Sequence, residues 1–160
     1  MTKSKLTNRI ETTILSNLVY NEEYTRKVIP FLKEDYFQDG VEKIIFQTIW
    51  AYAEKYKSNP SIDALVIDVQ DKALNEEQYK RSVDYLSEIE ETPTDLDWLT
   101  DQTEKWCKDK AIYNAVLNGI QIIDGKVKDQ SPDALPGILS EALSVSFDKH
   151  VGHDYMEQSG

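Results

Sequence analysis

Apolar residues recur at steps of three and four along almost the whole chain, and this regularity confines the fold to helices. Ile10, Ile14, Leu15, Leu18 and Val19 make a first stripe. Tyr24, Val28 and Ile29 make a second, which Pro30 ends by removing a backbone donor. Asn21 reads as the N-cap between them, with Glu22 and Glu23 in a first turn where the helix dipole favours anions. Asp39 with Glu42 three positions on has the form of a capping box. It opens a helix carrying Ile45, Phe46, Ile49, Trp50, Ala53 and Tyr56 on one broad face, closed by Asn59-Pro60. Ser61 caps a short helix with Ile62, Leu65, Val66 and Val69; Asn75 caps another with Tyr79, Val83, Leu86 and Ile89 inward. Val66-Ile67-Asp68-Val69 is the one β-branched run, and the cap before it places it on a helix, so no strand is expected.

Thr92-Pro93-Thr94 is the clearest internal boundary. Beyond it a long helix is expected from Asp95 to Ile123, with the stripe Leu99, Trp106, Tyr113, Leu117 and Ile120, flanked by Ile112, Val116 and Ile123. Glu104 and Lys108 stand as an i,i+4 pair in the favourable order, and Gly125 is the stop. After the polar turn Lys126 to Ser131, Asp133 reads as the N-cap of a last helix with Leu135, Leu139, Ala142, Leu143 and Phe147 on its apolar face. The predicted architecture is all-α: a compact helical bundle over 1–92, an antiparallel helical hairpin over 93–148, and a linker over 149–160.

With 40% apolar and 29% charged residues the chain can bury a core of its own. A single cysteine, Cys107, excludes an intrachain disulfide and any multi-cysteine metal site, which fits a reducing compartment. The lysines Lys3 and Lys5 are followed by no apolar segment of signal-peptide type, and no run long enough to span a bilayer exists, so cytoplasm is the expected location and no membrane partner is expected. The net charge of −11 opposes binding to phosphate backbones, so a role in nucleic-acid metabolism would run through proteins.

The chain holds no G-x-x-x-x-G-K-[ST] phosphate loop, no Gly-rich dinucleotide turn and no G-x-S-x-G elbow. Its two histidines, His150 and His153, flank Gly152 at a loose spacing and read as linker residues rather than metal ligands. Cys107 has no histidine near it in sequence and reads as a passive thiol. The pairs Glu22-Glu23, Glu76-Glu77 and Glu90-Glu91 sit at helix ends and read as solvated charge. Trp50, Trp98 and Trp106 lack the basic neighbours of a base-stacking platform and read as core or interface. No catalytic, cofactor-binding or metal residue is therefore assigned. What remains is surplus apolar surface: the long helix is apolar over more of its girth than one hairpin partner covers, and either the bundle or another subunit takes the rest. The expected subunit interface comprises Leu99, Trp106, Tyr113, Leu117, Ile138 and Phe147, with Trp106 and Tyr113 in or beside the contact. Val151, Tyr155 and Met156, beyond the last periodic segment, are expected to dock on a neighbouring domain.

Several segments, taken in order, resemble the DnaB-like replicative helicases. Asp35-Tyr36-Phe37 precedes Ile45-Phe46 and Ile49; Glu104 to Ile112 is similar to the start of that family's hairpin; Ile29-Pro30-Phe31 and Pro60-Ser61-Ile62-Asp63-Ala64-Leu65 fit its T4-type phage branch. Ala142 to Asp148 followed by Val151 to Met156 is the most specific stretch. Glu42, Lys43 and Ile44 stand where the bacterial branch commonly has a histidine, so the likeness is to the phage branch. The resemblance implies an N-terminal collar domain of a hexameric ring, without catalysis of its own. It further implies that a motor outside this chain, using ATP and Mg, unwinds 5′ to 3′ at the fork, in the cytoplasm of an infected bacterium. The implied partners are further copies of the chain, primase and a helicase loader, with single-stranded DNA bound only through the whole protein. The alternative is a free-standing helical adaptor or inhibitor that binds a replication partner; a coding sequence continuing past Gly160 into a phosphate-loop motif separates the two.

Overall fold

The computed structural model describes residues 9–147, and these form seven α-helices with no strand among them. By compactness the chain divides into two units that meet between Thr103 and Glu104, inside a helix, rather than at Thr92-Pro93-Thr94.

The first unit holds α1 (Ile10–Tyr20), α2 (Glu22–Val28), α3 (Gly40–Tyr56), α4 (Ile62–Gln70), α5 (Glu76–Glu88) and the start of α6 (Leu96–Ile123). α3 is its hub and packs on α1, α4 and α5. Ile14, Leu15, Leu18, Ile45, Ile49, Leu65, Val69, Leu86 and Leu99 are wholly enclosed, and the Phe37 and Phe46 rings stack with centroids 5.1 Å apart. The α3 stripe is narrower than its sequence suggests: Trp50 and Tyr56 lie outward, Tyr56 beside Tyr52 with centroids 4.7 Å apart.

Local capping chemistry sets most boundaries. Asn21 accepts from the Tyr24 N–H, Ser61 from Ala64, and Asn75 from Gln78, whose side chain returns the bond to close a true capping box. Asp39 accepts from the N–H groups of Val41 and Glu42 at 2.8 and 3.1 Å, but Glu42 does not complete a box and turns elsewhere. α3 ends before Asn59-Pro60, on Lys57 in the left-handed region at φ 56. Asp95 caps α6 by accepting from Trp98 at 2.9 Å. Tyr24 explains why the first turns of α6 belong to the bundle: its hydroxyl lies 2.6 Å from that of Thr103, which donates in turn to the Leu99 carbonyl at 2.7 Å.

The second unit is the rest of α6 with α7 (Leu135–Leu143). α6 stops on Gly125 at φ 76: the Gly125 N–H reaches the Ile122 carbonyl and the Lys126 N–H reaches that of Gln121, a Schellman closure. α7 is shorter than expected and is not capped by Asp133, which lies in the 3-10 turn Pro132–Ala134. Phe147 lies beyond α7 rather than on it.

Candidate interaction surface

Two contacts fix the hairpin register. Glu104, at the near end of this part of α6, accepts the Phe147 N–H at 3.0 Å and the Ser146 hydroxyl at 3.2 Å. Fifteen positions on, the α6 backbone comes so close to α7 that a Cβ placed on Gly119 would stand 2.8 Å from Leu135 Cδ2. Chain positions rise along α6 from 104 to 119 as their partners fall from 147 to 135, so the two segments run antiparallel. Cys107, Ala111, Ala115 and Gly119, one every fourth position, place small side chains along one ridge of α6, each of them buried or half-buried. Ile122 continues the same side and is buried. The expected i,i+4 pair of Glu104 with Lys108 does not form, because the carboxylate closes the hairpin instead; the i,i+4 pair on this helix is Lys105 with Asp109 at 3.2 Å.

Among the described residues the other side of α6 is left exposed. Tyr113, Val116, Leu117, Ile120 and Ile123 are 43 to 64% exposed. At about 100° per residue these five fall within an arc of roughly 120°, nearly opposite Ala115 and Ile122. Leu139 and Leu143 of α7 are exposed as well. Of the residues expected at a subunit interface, Tyr113 and Leu117 lie on this open face, and Ile138 is half-buried. Leu99, Trp106 and Phe147 are enclosed within their own chain. The open face thus continues the sequence stripe from Tyr113 onward, with Val116, Ile120 and Ile123 as its further members. The signal that separates it from the inner face is the run of small residues, since a helix partner approaches where side chains are short. Val151, Tyr155 and Met156 lie outside the described residues, as do His150 and His153.

The remaining chemistry-bearing groups are quiet here. Cys107 is wholly buried, and burial, helped by the charge of Glu104, pushes its thiol up to about 12, far from a reactive thiolate. Among the described residues no group of three His, Cys, Asp or Glu is placed to hold a metal ion, and no helix is long and apolar enough to cross a membrane.

One built polar site was not foreseen. Glu42, 1% exposed, receives Arg9 Nη1 at 2.6 Å, Arg9 Nη2 at 2.8 Å and the Tyr85 hydroxyl at 2.8 Å, with Thr12 3.3 Å from the same hydroxyl. A carboxylate taken out of water needs such compensation. Donating to Glu42 holds the Arg9 guanidinium more firmly protonated, and burial raises the Tyr85 phenol above its usual range.

No protein-family model matches the chain. Over 152 residues, 90% of its length, it is 35% identical to a DnaB-like replicative helicase of Enterobacteria phage T4. The chain is homologous to that helicase. It spans 32% of the helicase's length, the size of a domain rather than of the whole protein. The likeness drawn from Asp35-Tyr36-Phe37, the Ile45-Phe46 helix and the Glu104–Ile112 segment therefore extends over nearly all of the chain, and it is shared by both the bundle and the hairpin.

Proposed function

We propose that this chain is a non-catalytic, protein-binding collar domain of a DnaB-like replicative helicase, and that copies associate through the outer face of α6. NTP hydrolysis, Mg binding and 5′ to 3′ unwinding then belong to a motor outside this chain. Contacts with primase and a loader belong to the collar side. The observation that supports this most directly is the arc from Tyr113 to Ile123: five neighbouring apolar side chains, each about half exposed or more, on the side of α6 turned from α7. Contiguous apolar surface of this kind marks a contact with another protein. A face that meets its own copy is self-complementary, so a two-fold pair is the simplest closed arrangement and a ring can be built from such pairs.

Sedimentation equilibrium on the 160-residue chain, from micromolar to millimolar concentration, tests this. Monomer–dimer exchange is expected in the micromolar range. Tyr113→Glu puts an unpaired carboxylate into the contact and should weaken the dimer by roughly a hundredfold, while the melting temperature taken at concentrations where the wild-type chain is monomeric stays put. Wild-type chain that remains monomeric at millimolar concentration, or a Tyr113→Glu chain that unfolds, would show that the arc is not an association surface.

A further inference from the structure

We propose that the cleft between the start of α3 and the C-terminal half of α5 is a docking site for an arginine side chain from a basic segment of a partner protein. The site lies in the bundle and is independent of the α6 face.

The cleft has a volume of about 530 Å³ and is lined by Arg9, Asp39, Val41, Glu42, Arg81, Asp84, Tyr85, Ser87 and Glu88. Its floor already recognises a guanidinium. Glu42 sits at the third position of α3, where its carboxylate could have turned back to the helix end; it points into the cleft instead and takes both terminal nitrogens of Arg9. Such a two-pronged grip is specific to the planar guanidinium and is not matched by an ammonium group. Arg9 does not fill the space: its side chain is 44% exposed and the open volume remains beside it. Counting the lining charges gives two arginines against the four carboxylates of Asp39, Glu42, Asp84 and Glu88, and with Lys80 3.5 Å from Asp84 the cleft keeps a surplus of one negative charge.

The field beyond the rim has the same sign. From residue 82 to residue 103 the chain carries Asp84, Glu88, Glu90, Glu91, Asp95, Asp97 and Asp101 and not one Lys or Arg. All of these except Glu88 are exposed. A basic segment would be drawn toward this stretch from a distance and held at the cleft by one seated arginine. The complementary charge therefore selects a basic protein segment as the occupant. Arg9 is an internal stand-in that shares the floor or yields it.

The test uses the 160-residue chain and a synthetic acetylated peptide of four Arg-Gly repeats, with the Lys-Gly version and inorganic phosphate as comparison probes. Amide shifts in NMR spectra should concentrate on Val41, Glu42, Asp84, Tyr85 and Ser87. The arginine peptide should bind several times more tightly than the lysine peptide. Asp84→Asn with Glu88→Gln should weaken it by about five- to tenfold, whereas the charge-matched pair Asp63→Asn with Asp68→Asn on α4 should change it by less than about twofold. Arg9→Ala should tighten binding beyond the effect of Arg26→Ala, which removes the same charge elsewhere. Should Arg9→Ala fail to fold, the rim variants still decide. Shifts spread over the whole acidic surface, equal loss in the two double variants, or phosphate moving the cleft amides in place of the peptide would each overturn the assignment.

Discussion

Glu104 closes the hairpin, and its replacement gives a graded measure of that closure. The carboxylate accepts the Phe147 N–H at 3.0 Å and the Ser146 hydroxyl at 3.2 Å, and Phe147 is only 7% exposed. A hydrogen bond to a charged group contributes about 1.5 to 3 kcal/mol when shielded from water. Glu104 is half-buried, so the two bonds together are worth roughly 1 to 2 kcal/mol after screening. Glu104→Ala removes both bonds and leaves a partly buried N–H without its partner, so the full amount should be lost. Glu104→Gln keeps a carbonyl oxygen for the Phe147 N–H and loses only the charge, so about 0.5 kcal/mol is expected. Lys108→Ala should cost almost nothing, because Glu104 turns to Ser146 and Phe147 rather than to Lys108. Urea unfolding supplies the free energies, and amide hydrogen exchange supplies the local reading: the Phe147 N–H should lose protection in Glu104→Ala and keep most of it in Glu104→Gln. If Lys108→Ala proves as costly as Glu104→Ala, or if Phe147 exchange is the same in both Glu104 variants and in wild type, the proposed closure is wrong.

Two further outcomes follow from other parts of the chain. The Cys107 thiol is raised to about 12 in the fold against roughly 8.5 in the unfolded chain, so folding favours its protonated form. Its contribution is complete below the unfolded value and is lost as pH rises from there toward the folded one; native chain should resist a disulfide reagent at pH 8, and its stability should fall more steeply across pH 9 to 11 than that of Cys107→Ala. Lys57 holds a left-handed conformation at φ 56 that costs a side-chain-bearing residue about 1 kcal/mol, so Lys57→Gly should raise the denaturation midpoint, and a fall would mean that the lysine makes a contact worth more than the strain it relieves.

What could be read from the sequence was local. The caps at Asn21, Ser61 and Asn75 and the stop at Gly125 depend on residues within a few positions, and each stands where the periodicity places it. The all-helical fold follows from the same short-range regularity. Glu42 could not be read this way: its partners Arg9 and Tyr85 lie 33 and 43 positions off, and the nearby Asp39 offered a plausible but different use for it. The hairpin stripe was found but its inner and outer sides were not told apart, because a stripe drawn through large side chains takes in Tyr113 and passes over Ala115, whereas close helix packing ranks them the other way. The length of α7 was overestimated since Phe147 fits the helical spacing while its N–H is drawn to Glu104.

The grip of Arg9 on Glu42 also attaches a cost to trimming this domain. A fragment starting at Ile10 would keep every residue of α1, and by secondary structure alone it would pass as intact. It would nevertheless leave an enclosed carboxylate with the Tyr85 hydroxyl and no cation. The first helix thus does not mark the first useful residue: one position before it stands a side chain whose service is rendered to α3.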